Sequence, residues 1–188
     1  MIDHLVLAAP DLDAAAAVLR ADWGVDLVVG GAHDGLGTCN RLTGLGSGAY
    51  LEVIGPDPDQ PSPAAPRPFG VDDLDRPRLV AWCARPSRSL DEVIEACAQA
   101  GAHLGPASPM SRTRPDGVRL AWRLTFPVVG APLHGTIPFL IDWLGSPHPA
   151  ATLPAPCTLS ALTVRTAHPD RLRAVLAAVG HDERVDVV

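Results

Sequence analysis

"IDHLVLAAPDLDAAAAVLRADWG", residues 2–24, decides the fold. Its first eight residues are β-rich and stop at Pro10, which lacks the N–H that a central strand must donate. Asp11 suits a helix N-cap. Leu12, Ala15, Ala16 and Leu19 then recur at helical spacing, and Gly24 closes the helix. Three strand candidates follow, "VDLVVGG" (25–31), "LGTCNRLTGL" (36–45) and "AYLEVIGP" (49–56), with glycine-containing turns between them. The order is β-α-β-β-β, and a proline-rich segment from Gly55 to Pro68 ends the unit.

The same order recurs. "PRLVAWCARP" (77–86) reads as a strand, and "SLDEVIEACAQAGA" (89–102) as an amphipathic helix opened by Ser89 with Glu92 three residues on, a capping box. "HLGPASPM" (103–110), "GVRLAWRLTFP" (117–127) and "TIPFLIDW" (136–143) complete the set. Such self-similarity marks an internal repeat. Residues 157–188 begin a third copy with a strand, a proline-started helix and one further strand, then stop. The expected fold is α+β: two βαβββ units whose curved mixed sheets surround a shared cavity, with helices outside and an incomplete third repeat at the C-terminus. Residues 1–150 hold both units, 1–55 and 78–144, joined by the proline-rich linker.

Composition narrows the function classes. The 188 residues are 47% apolar and 19% charged, a globular profile, and the net charge of −6 without a basic run excludes a nucleic-acid footprint. No apolar stretch approaches the ~20 residues needed to span a bilayer. The N-terminus has no signal-peptide pattern, and the four cysteines form no C-x-x-C pair, so reduced thiols in a cytoplasm are expected. The terminal "ERVDVV" would leave an open strand edge, from which we expect a homodimer or an edge tucked against the first unit.

Strand alternation points to the chemistry. In "GVRLAWRLTF", Val118, Leu120, Trp122, Leu124 and Phe126 share one face, and Arg119 and Arg123 the other. In "TIPFLIDW", Asp142 lies opposite Ile137, Phe139, Ile141 and Trp143. In the first unit, His4 lies opposite Leu5 and Leu7, and Glu52 opposite Leu51 and Val53. If helices cover the apolar faces, His4, Glu52, Arg119, Arg123 and Asp142 all face the cavity. A carboxylate within an apolar strand is costly to bury unless it is paired or metal-bound. Imidazole with carboxylate suits a divalent ion, and a mutual hydrogen bond or solvent exposure is the plainer alternative.

The stretch "GGAHDGLGTCN" (30–40) reads as a glycine-rich loop that carries His33 and Asn40 to the cavity, His33 as a general base and Asn40 as a hydrogen-bond donor. It contains no phosphate-cradling motif. Arg112 and Arg114 read as surface charges and Cys39 as packing. His134 and His148 flank the last strand in solvent-exposed loops, and His103, His168 and His181 lie at element edges.

Paired β-α-β-β-β units resemble the vicinal oxygen chelate superfamily, which includes glyoxalase I, extradiol dioxygenases and fosfomycin or bleomycin resistance proteins. From Ile2 to Pro149, "IDHLVLAAPDLDAA", "GGAHDGLGTCN", "AYLEVIGP" and "TIPFLIDW…HP" resemble its glyoxalase-like domain branch. The resemblance implies metal ligands at His4 and Glu52, with Asp142 where a Glu is more usual. Trp82 or a neighbour stands where a His or Gln ligand is expected, and the fourth position falls to water, His33 or nothing. Two functions follow. One is lyase, isomerase or dioxygenase chemistry on a small, anionic, oxygen-rich molecule, using one divalent ion (Zn, Fe, Ni or Mn), with Glu52 and His33 catalytic and Asn40, Arg119 and Arg123 holding the substrate. The other is a metal-free binding or resistance protein.

Overall fold

The computed structural model describes residues 1–126, 133 and 135–188. In the first unit come β1 (Ile2–Ala8), α1 (Leu12–Trp23), β2 (Val28–His33), β3 (Thr38–Gly44) and β4 (Tyr50–Pro56). In the second come β5 (Arg78–Ala84), α2 (Leu90–Gln99), β6 (Ala107–Thr113), β7 (Arg119–Thr125) and β8 (Phe139–Asp142). Local chemistry sets the helix ends. Asp11 caps α1 by accepting from the Asp13 and Ala14 amides, Gly24 ends it in the left-handed region, and Ser89 caps α2 by accepting from the Glu92 amide.

All eight strands form one mixed sheet in the order β2-β3-β4-β1-β5-β8-β7-β6. Within each unit the first and last strands pair in parallel, and β1 pairs antiparallel with β5 to join the units, His4 opposite Cys83. The sheet curls until its outer strands approach each other, where Arg112 of β6 donates to the Gly30 carbonyl of β2. At this seam Gly31 has φ of 145°, and a Cβ there would sit 2.8 Å from the Thr113 carbonyl oxygen, so only glycine fits. The βαβββ architecture with helices outside is therefore present as expected.

Two apolar clusters divide along the sheet. One lies under the helices and includes Leu5, Leu51, Val53, Trp82, Val93 and Leu140. The other faces the interior of the curl and includes Val6, Ile54, Leu120, Trp122, Phe139 and Ile141. The sheet is thus buried on both faces, and in β7 and β8 Leu120, Trp122, Phe139 and Ile141 face the interior while Arg119, Arg123 and Asp142 lie on the opposite face. The expected facing of those two strands is reversed.

The C-terminal segment forms β9 (Leu162–Val164), α3 (Pro169–Val179) and β10 (Val185–Val187). Leu172, Val175 and Val179 of α3 join the cluster beneath the other helices. Its two strands pair directly with each other, in parallel. In the two large units the first and second strands stand at opposite ends of their four-strand set. The element order of a third unit is present, but its pairing differs.

Candidate active-site cavity

The curled sheet encloses a cavity of about 50 Å³. Phe69, Trp122, Phe139 and Trp143 make much of its wall, and its polar residues include His4, His33, Asn40, Glu52 and Arg112. Glu52 is the third residue of β4 and is 7% exposed. Its Oε1 accepts from Asn40 Nδ2 at 2.6 Å, while His33 Nε2 stands 3.6 Å from Oε1 and His4 Nε2 stands 3.6 Å from Oε2. One neutral amide holds this carboxylate, and two imidazoles flank it just beyond hydrogen-bond range.

The glycine-rich stretch that brings His33 and Asn40 here is a hairpin. β2 runs through His33, residues 34–37 turn, and β3 starts at Thr38. His33 Nδ1 lies 3.0 Å from Thr38 Oγ1 and its Nε2 lies 3.2 Å from Asn40 Nδ2. Asn40 spends one N–H on Glu52. Its other N–H faces His33 Nε2, which accepts, leaving Nδ1–H to donate to Thr38. Burial lowers the His33 pKa, outweighing the attraction of Glu52. His33 therefore rests neutral and aligns Asn40. On the far side of the amide, a Cβ at Gly30 would overlap Asn40 Oδ1. Gly30→Ala should push Asn40 away from Glu52 and cost about 1–3 kcal/mol. Urea unfolding would measure the loss, and an unchanged midpoint would contradict this contact.

Asp3 is a member of the site that strand alternation could not reveal. The β1–β5 register shifts between Ile2 and His4, and Asp3 occupies the irregularity. Its carboxylate is fully buried. Oδ1 meets His4 Nδ1 at 2.7 Å, and Oδ2 meets Trp143 Nε1 at 3.1 Å and His148 Nε2 at 3.0 Å. Burial pushes the Asp3 pKa up, but the hydrogen bonds from His148 and His4 outweigh it and hold the group well below the usual carboxylate range. His148 Nδ1 accepts from the Ala150 amide, so Nε2 is the nitrogen that donates to Asp3. A charged Asp3 in turn keeps a proton on His4 Nδ1 and leaves Nε2 facing Glu52. His148, expected in solvent, is a part-buried component of this network. His134 lies outside the described residues.

The structure brings His4, His33, Asn40 and Glu52 together, and places Arg119, Arg123 and Asp142 elsewhere. Arg119 donates to Ser111 on the exposed side of the sheet. Arg123 forms a two-point pair with Asp91 at the start of α2, and Asp142 Oδ1 accepts from the Leu144 amide. All three follow from the reversed facing of β7 and β8. Arg123→Ala should therefore leave binding in the cavity unchanged, and a loss of ligand affinity in a titration would contradict this placement. Arg112, read from sequence as a surface charge, is 4% exposed and lines the cavity.

The same facing bears on the metal that the superfamily resemblance implies. The first unit offers His4 and Glu52, but the interior positions of β5 and β8 are Cys83, Phe139 and Ile141. Among the described residues, Asp3, His4 and Cys83 bring potential ligand atoms within 4.8 Å of one another. Those donors are already committed, however. Asp3 accepts from three partners, and burial raises the Cys83 pKa, which opposes the thiolate form. The triad of Asp3, His4 and Cys83 fits a hydrogen-bond network better than a resident divalent ion.

A family model described as a glyoxalase-like domain matches residues 2–180, and the chain belongs to that family. No curated protein matches the chain. Its fold is similar to that of a hypothetical protein from Staphylococcus aureus, with a TM-score of 0.68 at 14% identity, covering 100% of this chain and 86% of the other. Methylmalonyl-CoA epimerase from Mycobacterium tuberculosis matches with a TM-score of 0.43 at 19% identity, covering 74% of this chain and 84% of that one. Among the described residues, no helix is long and apolar enough to cross a membrane.

Proposed function

We propose that this member of the glyoxalase-like domain family catalyses proton transfer at a carbon next to a carbonyl in a small molecule, chemistry of the isomerase or lyase type. The observation that carries the reading is Glu52: a buried carboxylate on the cavity wall with no Lys or Arg partner among the described residues, held by Asn40 and flanked by His4. In the reaction, Glu52 takes the proton, and the C–H electron pair moves through the carbon to the carbonyl oxygen. In its protonated form His4, with Nδ1–H held by Asp3, donates from Nε2 to that oxygen as its charge grows. His33 and Thr38 fix the Asn40 amide, which fixes the carboxylate. The aromatic walls keep water from the developing anion. The donor set gives no reason to route a step through a metal.

The test is hydrogen exchange from solvent. Pyruvate, 2-oxobutyrate and acetoacetate are incubated in D₂O with protein freed of metals by a chelator, and loss of the C–H resonances is followed by NMR. Enzyme-dependent exchange of at least one compound is expected, unaffected by the chelator. Exchange that disappears on chelation and returns with Zn, Fe, Ni or Mn would instead support the metal-dependent reading. Binding without exchange would favour a metal-free binding protein, an alternative to which the mostly apolar cavity wall lends weight.

A further inference from the structure

Arg112 is the one guanidinium that lines the cavity among the described residues, and its setting is unusual for an arginine. It projects from an edge strand, β6, yet is 4% exposed. Its side chain donates to a single protein acceptor among the described residues, the Gly30 carbonyl. Among the described residues no carboxylate pairs with it. Glu52 and Tyr50 are the acidic groups whose fields reach it, and burial lowers its pKa against both. A buried cation is normally matched by a carboxylate in contact. Here the two opposite charges of the cavity, Arg112 and Glu52, stand in the same wall lining without touching.

We propose that Arg112 is the anion-recognising residue of the cavity and that its ligand is a small monocarboxylate. The guanidinium offers N–H donors beyond the one given to Gly30, and a planar carboxylate is their natural complement. Charge selects a monoanion. Arg112 and Glu52 balance each other, so a phosphate dianion would bring two negative charges against Glu52 with one cation to offset them. Size and wall chemistry select a short, flat body, since the cavity is about 50 Å³ and bordered by Phe69, Trp122 and Phe139. This deepens the proton-transfer reading and rests on it for the cavity being a small-molecule site: the carboxylate docks on Arg112, which presents the C–H carbon next to the keto group to Glu52.

The test compares pyruvate with pyruvamide, its neutral equivalent of nearly the same size, by NMR titration of the unmodified protein. Pyruvate should bind about tenfold or more tightly. The preference should vanish in Arg112→Met, persist in weaker form in Arg112→Lys, and grow in Glu52→Gln, which removes the facing negative charge. Equal affinities in the unmodified protein, or binding of neither compound, overturn the proposal. A purely structural Arg112, serving only to close the seam with Gly30, would lower stability in Arg112→Met while the unmodified protein showed no preference. If pyruvate binds with an Arg112-dependent preference but exchanges no hydrogen, the monocarboxylate site stands and the role of Glu52 falls. If exchange occurs and pyruvamide binds equally well, the reverse holds.

Discussion

Glu52→Gln should slow solvent-hydrogen exchange into a bound 2-oxo acid by at least about a hundredfold, within the range that positioned general bases contribute. The substitution preserves shape. The side-chain oxygen that accepts from Asn40 at 2.6 Å is retained, and the second oxygen, which makes no hydrogen bond in the described structure, becomes an amide. Folding is therefore expected to survive, and the thermal transition serves as the control. Because the change removes basicity and leaves the wall intact, ligand affinity should persist while the rate falls. An exchange rate equal to that of the unmodified protein would remove Glu52 from the chemistry.

Asp3→Ala should produce the largest loss of stability, about 3–5 kcal/mol. It strips the acceptor from Trp143 Nε1, His148 Nε2 and His4 Nδ1 in one step, at a position that is fully buried. The pH dependence has a defined sign. The folded-state pKa of Asp3 lies below the ordinary carboxylate value of 3.8. Its contribution is thus fully present above that value and is lost as pH falls from there through the folded-state pKa. Urea unfolding of the unmodified protein and Asp3→Asn should differ most near neutrality and converge as pH drops below that value. A difference constant with pH would mean that the Asp3 charge contributes nothing. Asp3→Asn should also impair exchange, because His4 would lose the anion that supports its protonated form.

The fold was legible because two signals agreed. The strand–helix order with Pro10, Asp11 and Gly24 at its boundaries appears in the first unit and again, with Ser89, in the second. Alternation in β1 and β4 correctly set His4 and Glu52 against Leu5, Leu51 and Val53. Alternation alone cannot say which of two buried faces looks inward, and in β7 and β8 the apolar face lines the cavity. That ambiguity misplaced Arg119, Arg123 and Asp142. Asp3 was hidden for another reason: a register shift breaks the period of two on which facing arguments depend. Arg112 was hidden by topology. Its strand is last in the sheet order, and only the curl that brings β6 against β2 buries it. Even so, "GGAHDGLGTCN" held a usable signal, since Gly30 admits the Asn40 side chain and the hairpin sets His33 beside Thr38.

The central claim is that the interior of the curled sheet is a reaction site organised by Glu52. A crystal structure of the unmodified protein soaked with 2-oxobutyrate tests it most directly. The account predicts the ligand inside the cavity, its carboxylate on Arg112, its C3 carbon within about 3–3.5 Å of a Glu52 oxygen, and its keto oxygen toward His4 Nε2. A ligand seated outside the sheet, or one bound inside with Glu52 turned away and that carbon against the aromatic wall, would contradict it.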